Sequence, residues 1–346
     1  MSFALRRKFI SILTTNIFVM AAMAQVKFDV VKSSTQSIVT VTANGKPFTS
    51  LYFTDTLEKP FLYPIYAADG QLITRGYPLQ PRPNDPTDHP HHIGLWFNYE
   101  NVNGLDFWNN SFAIPADKKK NYGWIRTDDI AETKGGSTGI LTYNAHWEDI
   151  NKNVLLKEVT TFTFSGDEHT RIIDRTTTLT AVETVTFKDA KDGVLGLRVA
   201  HELQLPDTSI KKFTDDKGNV TAVQGNAYAT GNYLTSEGKT GNAAWGTQAT
   251  WCMLYGKEGA DTISIAIIDH PGNVGHPTYW HARDYGLFAA NPLGQKIFSN
   301  GAKTLNYILD KNKSVTFRYR IVIRSGRGRM TNEEVDKLSK NFAKMQ

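Results

Sequence analysis

Cysteine is almost absent from this 346-residue chain: Cys252 stands alone, so no intrachain disulfide can form. Its neighbours Trp251, Met253 and Leu254 mark it as a buried strand thiol rather than a nucleophile. The motifs of nucleotide chemistry are missing too. No G-x-G-x-x-G follows a strand, and there is no P-loop, no G-x-S-x-G elbow and no H-E-x-x-H. Charge of one sign is also scarce. The chain has 39 Lys+Arg against 34 Asp+Glu, and three of the basic residues, Arg6, Arg7 and Lys8, open the N-terminal segment. Without that segment the balance is 36 to 34, which leaves no nucleic-acid footprint. Lys118-Lys119-Lys120, the longest basic run, sits beside Asn and Asp and suits a solvated loop.

Long apolar runs are lacking as well. Phe9 to Met23 is short and interrupted by Thr14, Thr15 and Asn16, so a membrane span is not expected. With its basic start and Ala22-Met23-Ala24 at its end, residues 1–24 read as a cleavable signal peptide. The expectation is a secreted or periplasmic protein with a single domain over 25–346. No Cys follows the apolar stretch to carry a lipid anchor.

What the chain has in abundance is period-two alternation. Ile38 to Thr42, Val159 to Phe164, Ile172 to Thr180, Ile263 to Ile268, Leu195 to Leu203 and Thr316 to Ile323 all alternate or run β-branched. Asn44-Gly45, Asp69-Gly70, Asn103-Gly104 and Asp192-Gly193 read as turns between them, and Pro206 to Gly246 reads as long loops. Only the C-terminus reads as helix. There Thr331-Asn332-Glu333-Glu334 is a capping box, with Val335, Leu338 and Phe342 on one stripe. The predicted architecture is all-β: a large antiparallel β-sandwich with a C-terminal helix on its outside.

Three constellations carry candidate chemistry. In Asp88-His89-Pro90-His91-His92-Ile93-Gly94-Leu95-Trp96-Phe97, three of the nine histidines fall within four positions. Imidazole donates, accepts, binds metal and titrates near neutrality, so this crowding suggests a site; histidines capping strand ends are the plain alternative. Read as a strand from His91, the run sends His91, Ile93, Leu95 and Phe97 inward. It sends His92 and Trp96 to a cleft, separated by Gly94. An imidazole and an indole beside a residue without a side chain make a shelf suited to a sugar.

In Arg198-Val199-Ala200-His201-Glu202, alternation places Arg198 and Glu202 opposite the apolar face. They stand roughly 13 Å apart at about 3.3 Å per residue. They would line a cleft, with Glu202 as base and Arg198 as oxyanion partner, or simply face solvent. His201 falls on the apolar side. The third stretch, Asp269-His270-Pro271-Gly272-Asn273 to Gly286, puts Tyr279, His281 and Arg283 on one face and Trp280 on the other. His89-x-His91 approaches a cupin metal motif, but Gly94, Leu95 and Trp96 stand where its Glu belongs. No metal or other cofactor is therefore assigned, although a His/carboxylate site assembled from distant strands stays open.

These stretches also carry a resemblance. Arg75-Gly76-Tyr77-Pro78, the Asp88–Trp96 run, Val102-Asn103-Gly104-x-Asp106-Phe107-Trp108, Asp269-His270-Pro271-x-Asn273 and Tyr285 to Gly294 resemble the DUF6807 family across most of the chain. Its members are often labelled "PmoA family protein". That label implies a membrane-embedded oxygenase subunit and does not suit a chain without membrane helices. The resemblance implies a polysaccharide-degrading setting and a fold similar to the galactose-mutarotase-like supersandwich, whose concave sheet binds carbohydrate.

From residues and resemblance together, the expectation is a carbohydrate-active enzyme working by His/carboxylate acid–base chemistry: glycoside cleavage, lyase elimination or epimerisation. His92, Glu202 and His281 are its candidate catalytic residues. Arg75, Asp88, His89, His91, Arg198, Tyr279 and Arg283 would bind substrate, and Trp96, Trp108 or Trp280 would stack on the ring. The alternatives are a non-catalytic carbohydrate-binding protein of a polysaccharide-utilisation system and a metal-dependent hydrolase or oxygenase. A carbohydrate is the expected partner, with no nucleic acid.

Overall fold

The alternating segments pair into two eight-stranded antiparallel sheets. The computed structural model describes residues 25–214, 220–258 and 261–345; the expected signal segment falls outside them. The first sheet, the site sheet, runs in the order Phe28–Lys32, Ile38–Ala43, Lys46–Tyr52, Phe61–Leu62, Leu95–Tyr99, Gly193–Arg198, Leu287–Asn291, Tyr279–Ala282. The second, the back sheet, runs Asn232–Thr235, Trp251–Glu258, Asp261–Asp269, Ser314–Gly326, Thr170–Ala181, Val154–Gly166, Gly139–Glu148, Trp124–Lys134.

Period-two patterning explains the layers. Along Gly139–Glu148 buried and half-buried positions alternate, which leaves one apolar face to cover. Leu95, Phe97, Leu195 and Leu197 of the site sheet meet Phe162, Ile173, Phe317 and Ile321 of the back sheet in one large core. Burying each such side chain contributes about 1.5–3 kcal/mol. One carboxylate lies within this core. Glu158 accepts from Tyr143, Trp147 Nε1, Thr160 and Arg175, so its charge is fully partnered.

The C-terminal helix forms over Asn332–Phe342, with Thr331 and Glu334 making the expected capping box. Val335 and Phe342 pack on Trp251, Met253, Ala266, Ile268 and Val322, the outer face of the back sheet. Cys252 is buried in the strand Trp251–Glu258, and burial pushes its thiol well above the ordinary range. Among the described residues no helix is long and apolar enough to cross a membrane.

Local readings needed correction in four places. The strand expected from His91 begins only at Leu95, because Gly94 has φ +57° and a turn occupies the residues before it. The strand expected to reach Leu203 ends at Arg198, and His201–Leu203 forms a 3-10 turn. Pro206 to Gly246 is not all loop, for it holds the hairpin Ile210–Thr214 with Val220–Gln224 and the edge strand Asn232–Thr235. Asp192-Gly193 is no hairpin turn. Gly193 opens a central strand, and a Cβ there would lie 2.2 Å from the Tyr99 ring.

The outer face of the site sheet carries the chemistry. Cross-strand pairing lines up Phe61, Trp96, Gly196, Ala289 and His281 in one row. Gly196 is required here. A Cβ would meet Trp96 at 2.4 Å and Trp108 at 2.8 Å, so the indoles fill the space above it. Phe61, Tyr63, Ile93, Trp96, Trp108, Leu287 and Ala289 form a second apolar cluster on this face, and the histidine turn lies against it.

Candidate active site

The site begins with a turn pinned by an arginine. A bridge between Thr74 and Val199, and a bond from the Arg75 amide to the Arg198 carbonyl, place Arg75 beside Arg198. The Arg75 guanidinium donates to the carbonyls of Pro86 (3.0 Å), Asp88 (2.7 Å), His89 (2.9 Å) and His92 (3.0 Å). It thereby ties the whole turn to the sheet. His92 N donates to His89 O to close the turn, and His89 itself adopts φ +48°. A histidine in the left-handed region is uncommon and marks a conformation imposed by its surroundings.

Asp88 is the hub. Its Oδ1 accepts from Arg75 at 3.0 Å and from Arg198 at 2.7 Å, and its Oδ2 bonds His89 Nδ1. Burial alone would raise this carboxyl. Arg198, the His89 bond and Arg75 override it and hold Asp88 far below the usual carboxylate range. Burial then lowers Arg75 to about 9, with Arg198 pushing the same way and Asp88 opposing. An ionised Asp88 on Nδ1 fixes the proton there and leaves His89 Nε2 as the free nitrogen.

The imidazoles divide by depth. His92 is 2% exposed and faces Arg198 through Nδ1 at 3.1 Å. Its ring lies parallel to His89 at 4.8 Å and nearly parallel to Trp96 at 5.2 Å. Tyr285 stacks on His89 at 5.1 Å and lies 4.8 Å from the Arg198 guanidinium. Burial, reinforced by neighbouring positive groups, keeps His91 and His92 well below the ordinary imidazole range, hence neutral. His89 keeps 37% of its side chain exposed.

A second pair stands on the neighbouring strands. His281 Nδ1 lies 3.3 Å from Asp192 Oδ1, and burial lowers His281 to about 3. Burial raises Asp192 to about 6; Lys191 opposes this and Glu100 adds to it. His89 acts electrostatically on His281, and Asp88 and Asp192 both act on Tyr285, which sets the two pairs near one another.

The structure brings together Arg75, Asp88, His89, His91, His92 and Arg198, with His281 and Arg283 alongside. It does not bring Glu202 among them. Past Arg198 the alternation stops, and the 3-10 turn points Glu202 at Arg82 (2.9 Å) and His201 Nε2 (3.3 Å). His201, expected in the core, bonds Asp85 at 3.4 Å instead. His92, expected at the cleft, is interior like His91, whereas His89 at the turn stays partly exposed, because a turn and not an alternating strand carries all three.

The tryptophans also move. Trp96, Trp108 and Trp280 are all 0% exposed, so none offers a face for stacking on a ring. Trp280 lies in the inter-sheet core and donates to Ala249 O. Tyr279 stacks on Phe298 at 5.4 Å, away from the histidine turn. The second Asp-His-Pro run is a loop clasp in which Asp269 accepts from Asn273 and the Thr278 amide and bonds His276.

Three residues escaped the sequence reading. Asp192 was masked by its Asp-Gly turn signal. Tyr285 appeared only within a motif. Lys59, buried with its ammonium on His91 O at 2.8 Å and lowered to about 8 by burial, gave no signal at all. Among the described residues no three His, Cys, Asp or Glu side chains converge as a metal-holding group.

A large antiparallel β-sandwich with an Asp–His pair, its carboxylate buried, on the outer face of one sheet is thus the class of protein defined here. The chain belongs to DUF6807, a family of unknown function, whose family model matches residues 38–340. Among curated proteins nothing matches.

Solved structures align more distantly. A GH36 alpha-galactosidase from Geobacillus stearothermophilus matches at 10% identity and TM-score 0.40, over 86% of this chain and 41% of that one. A beta-arabinopyranosidase matches at 11% identity and TM-score 0.32, over 89% and 39%. A galactose mutarotase related enzyme from Lactobacillus acidophilus matches at 6% identity and TM-score 0.30, over 86% and 97%. The chain spans about two fifths of the two glycosidases. Overlays of this extent assign no substrate and no reaction, so the chemistry is read from the residues themselves.

Proposed function

We propose that this chain is a secreted or periplasmic carbohydrate-active enzyme that works by acid–base chemistry, with His89 as its proton-transfer group. The observation that carries the reading is the Asp88–His89 pair. A carboxylate held ionised by two buried guanidiniums orients an imidazole whose other nitrogen is free. Such an arrangement fixes one tautomer and stabilises the imidazolium formed in transfer.

In this reading His89 Nε2 takes a proton from a substrate hydroxyl or acidic C–H. Asp192, raised to about 6, holds a proton over part of the neutral range and delivers it to an oxygen on the other side. Tyr285 shields the pair and offers its hydroxyl to the ring substituents. Support for a sugar comes from the dense set of donors around one aromatic wall, and support for export comes from the basic and apolar N-terminal segment. Burial of Trp96, Trp108 and Trp280 removes the stacking platform that a binding protein built on them would need.

The test is turnover on a panel of neutral and acidic oligosaccharides, with variants. On any substrate found, His89→Gln and Asp192→Asn each lower kcat by roughly 10²–10⁴ with the fold intact. His92→Ala chiefly lowers Tm, as expected of an interior ring. Full turnover in His89→Gln sinks the assignment.

A further inference from the structure

The turn Arg283-Asp284-Tyr285-Gly286 joins the last two strands of the site sheet, closed by bonds from the Gly286 amide to Arg283 O and from the Arg283 amide to Leu287 O. Gly286 has φ +87°, which a side-chain-bearing residue rarely adopts. This turn projects Arg283 and Tyr285 together, with the Arg283 guanidinium 5.5 Å from the Tyr285 ring. Tyr285 in turn stacks on His89. Arg283 therefore stands at the mouth of the site, one ring away from the proposed proton-transfer group.

Among the described residues no carboxylate forms an ion pair with Arg283, whereas Arg75 and Arg198 share the single carboxylate Asp88. Asp85 also acts on Arg75, and Asp88 and Asp192 act on Tyr285, so Arg283 is the guanidinium of this group without a carboxylate partner of its own among the described residues. Arg198 and Arg75 are buried, so water screens their pairing with Asp88 poorly and that carboxylate is committed to them. Burial, with neighbouring positive groups adding to it, holds His91, His92 and His281 neutral, so none of them supplies a second cation for an anionic ligand. A neutral sugar would leave the Arg283 guanidinium without a counter-charge, while a sugar carboxylate supplies one. Guanidinium and carboxylate also match as planar, bidentate partners.

We propose that the substrate is an acidic sugar, a uronate or aldonate unit, whose carboxylate is held by Arg283. The inference rests on the acid–base sugar reading above. It also fits that chemistry: pairing a carboxylate with a cation makes the adjacent C–H more acidic, the proton a base such as His89 would remove. Arg283 is then the residue that discriminates between acidic and neutral members of a sugar pair.

Calorimetric titration with matched probes tests this: glucuronate against glucose and galacturonate against galactose, with short oligomers of each, at low and high salt. The acidic member is expected to bind at least about tenfold more tightly, with the difference shrinking in salt. Arg283→Gln lowers affinity for the acidic probes at least about tenfold and for the neutral probes much less, so the preference is lost, and Arg283→Lys restores part of it. Equal or tighter binding of the neutral member, or an equal loss for both members in Arg283→Gln, overturns the proposal.

The two readings fail separately. Neutral sugars turned over in a His89-dependent way would leave the acid–base reading standing and remove this one. Acidic sugars bound through Arg283 without His89-dependent chemistry would do the reverse. If no probe binds, both fall.

Discussion

Arg75 and Arg198 donate to the same oxygen of Asp88, at 3.0 and 2.7 Å, and both guanidiniums are wholly withdrawn from water. The two contacts have different purposes. Arg198 reaches on to His92, so it fixes the floor of the site. Arg75 reaches on to four carbonyls of the turn, so it fixes the chain that carries His89.

Arg75→Lys keeps the charge but loses the fork. An ammonium cannot serve four carbonyls and a carboxylate at once, so buried acceptors are left unmet. The expected cost is about 3–5 kcal/mol in urea unfolding, with loss of any turnover. A cost under about 1 kcal/mol would show that the turn holds its shape without this residue.

Asp192 gives stability a pH signature. Its folded-state pKa, raised to about 6 by burial, exceeds the unfolded value of about 3.9. A raised carboxyl contributes stability that is fully present below the unfolded pKa and is lost as pH rises through the folded one. The contribution of Asp192 should therefore fall between about pH 4 and 6 by at most ~3 kcal/mol, against the opposite trend set by the depressed His91, His92 and His281. Asp192→Asn removes that contribution, so stability of the variant relative to the parent rises between about pH 4 and 6. Denaturation midpoints across pH 3.5 to 7 for both proteins decide it, and identical profiles would contradict the assignment.

Gly94 breaks the strand that the sequence suggests. With φ +57° and a would-be Cβ 2.1 Å from Leu62 O, even a methyl group forces the backbone apart. Gly94→Ala is expected to lose about 2–4 kcal/mol and to disturb His92 and the turn above it. Thermal unfolding measures the loss, and a variant as stable as the parent would show that the neighbouring chain yields freely.

The architecture was legible because strand alternation is a property of each segment alone. Thr331 with Glu334 announced the helix, and Leu195 with Leu197 announced the buried face of a central strand. The site was half legible. Crowding of His89, His91 and His92 beside Asp88 pointed to the turn at which the structure gathers Arg75, Arg198 and the three imidazoles. Which of them faces outward was not legible, because that depends on where the strand begins. The start is set by a contact between Gly94 and Leu62, thirty-two positions away. Asp192 and Lys59 stayed hidden for a related reason: burial and long-range neighbours, rather than adjacent residues, give them their character.

Cys252 has a practical consequence. Its thiol is enclosed between the sheets and raised by burial, so it stays out of reach of alkylating reagents while the fold holds. For labelling, the folded chain behaves as a cysteine-free background. A cysteine introduced at exposed Ile308, or on the turn near Arg283, can carry a fluorophore or spin label without first removing the native one. Modification of Cys252 itself then becomes an internal clock for global unfolding, read in the same sample as motion at the mouth of the site.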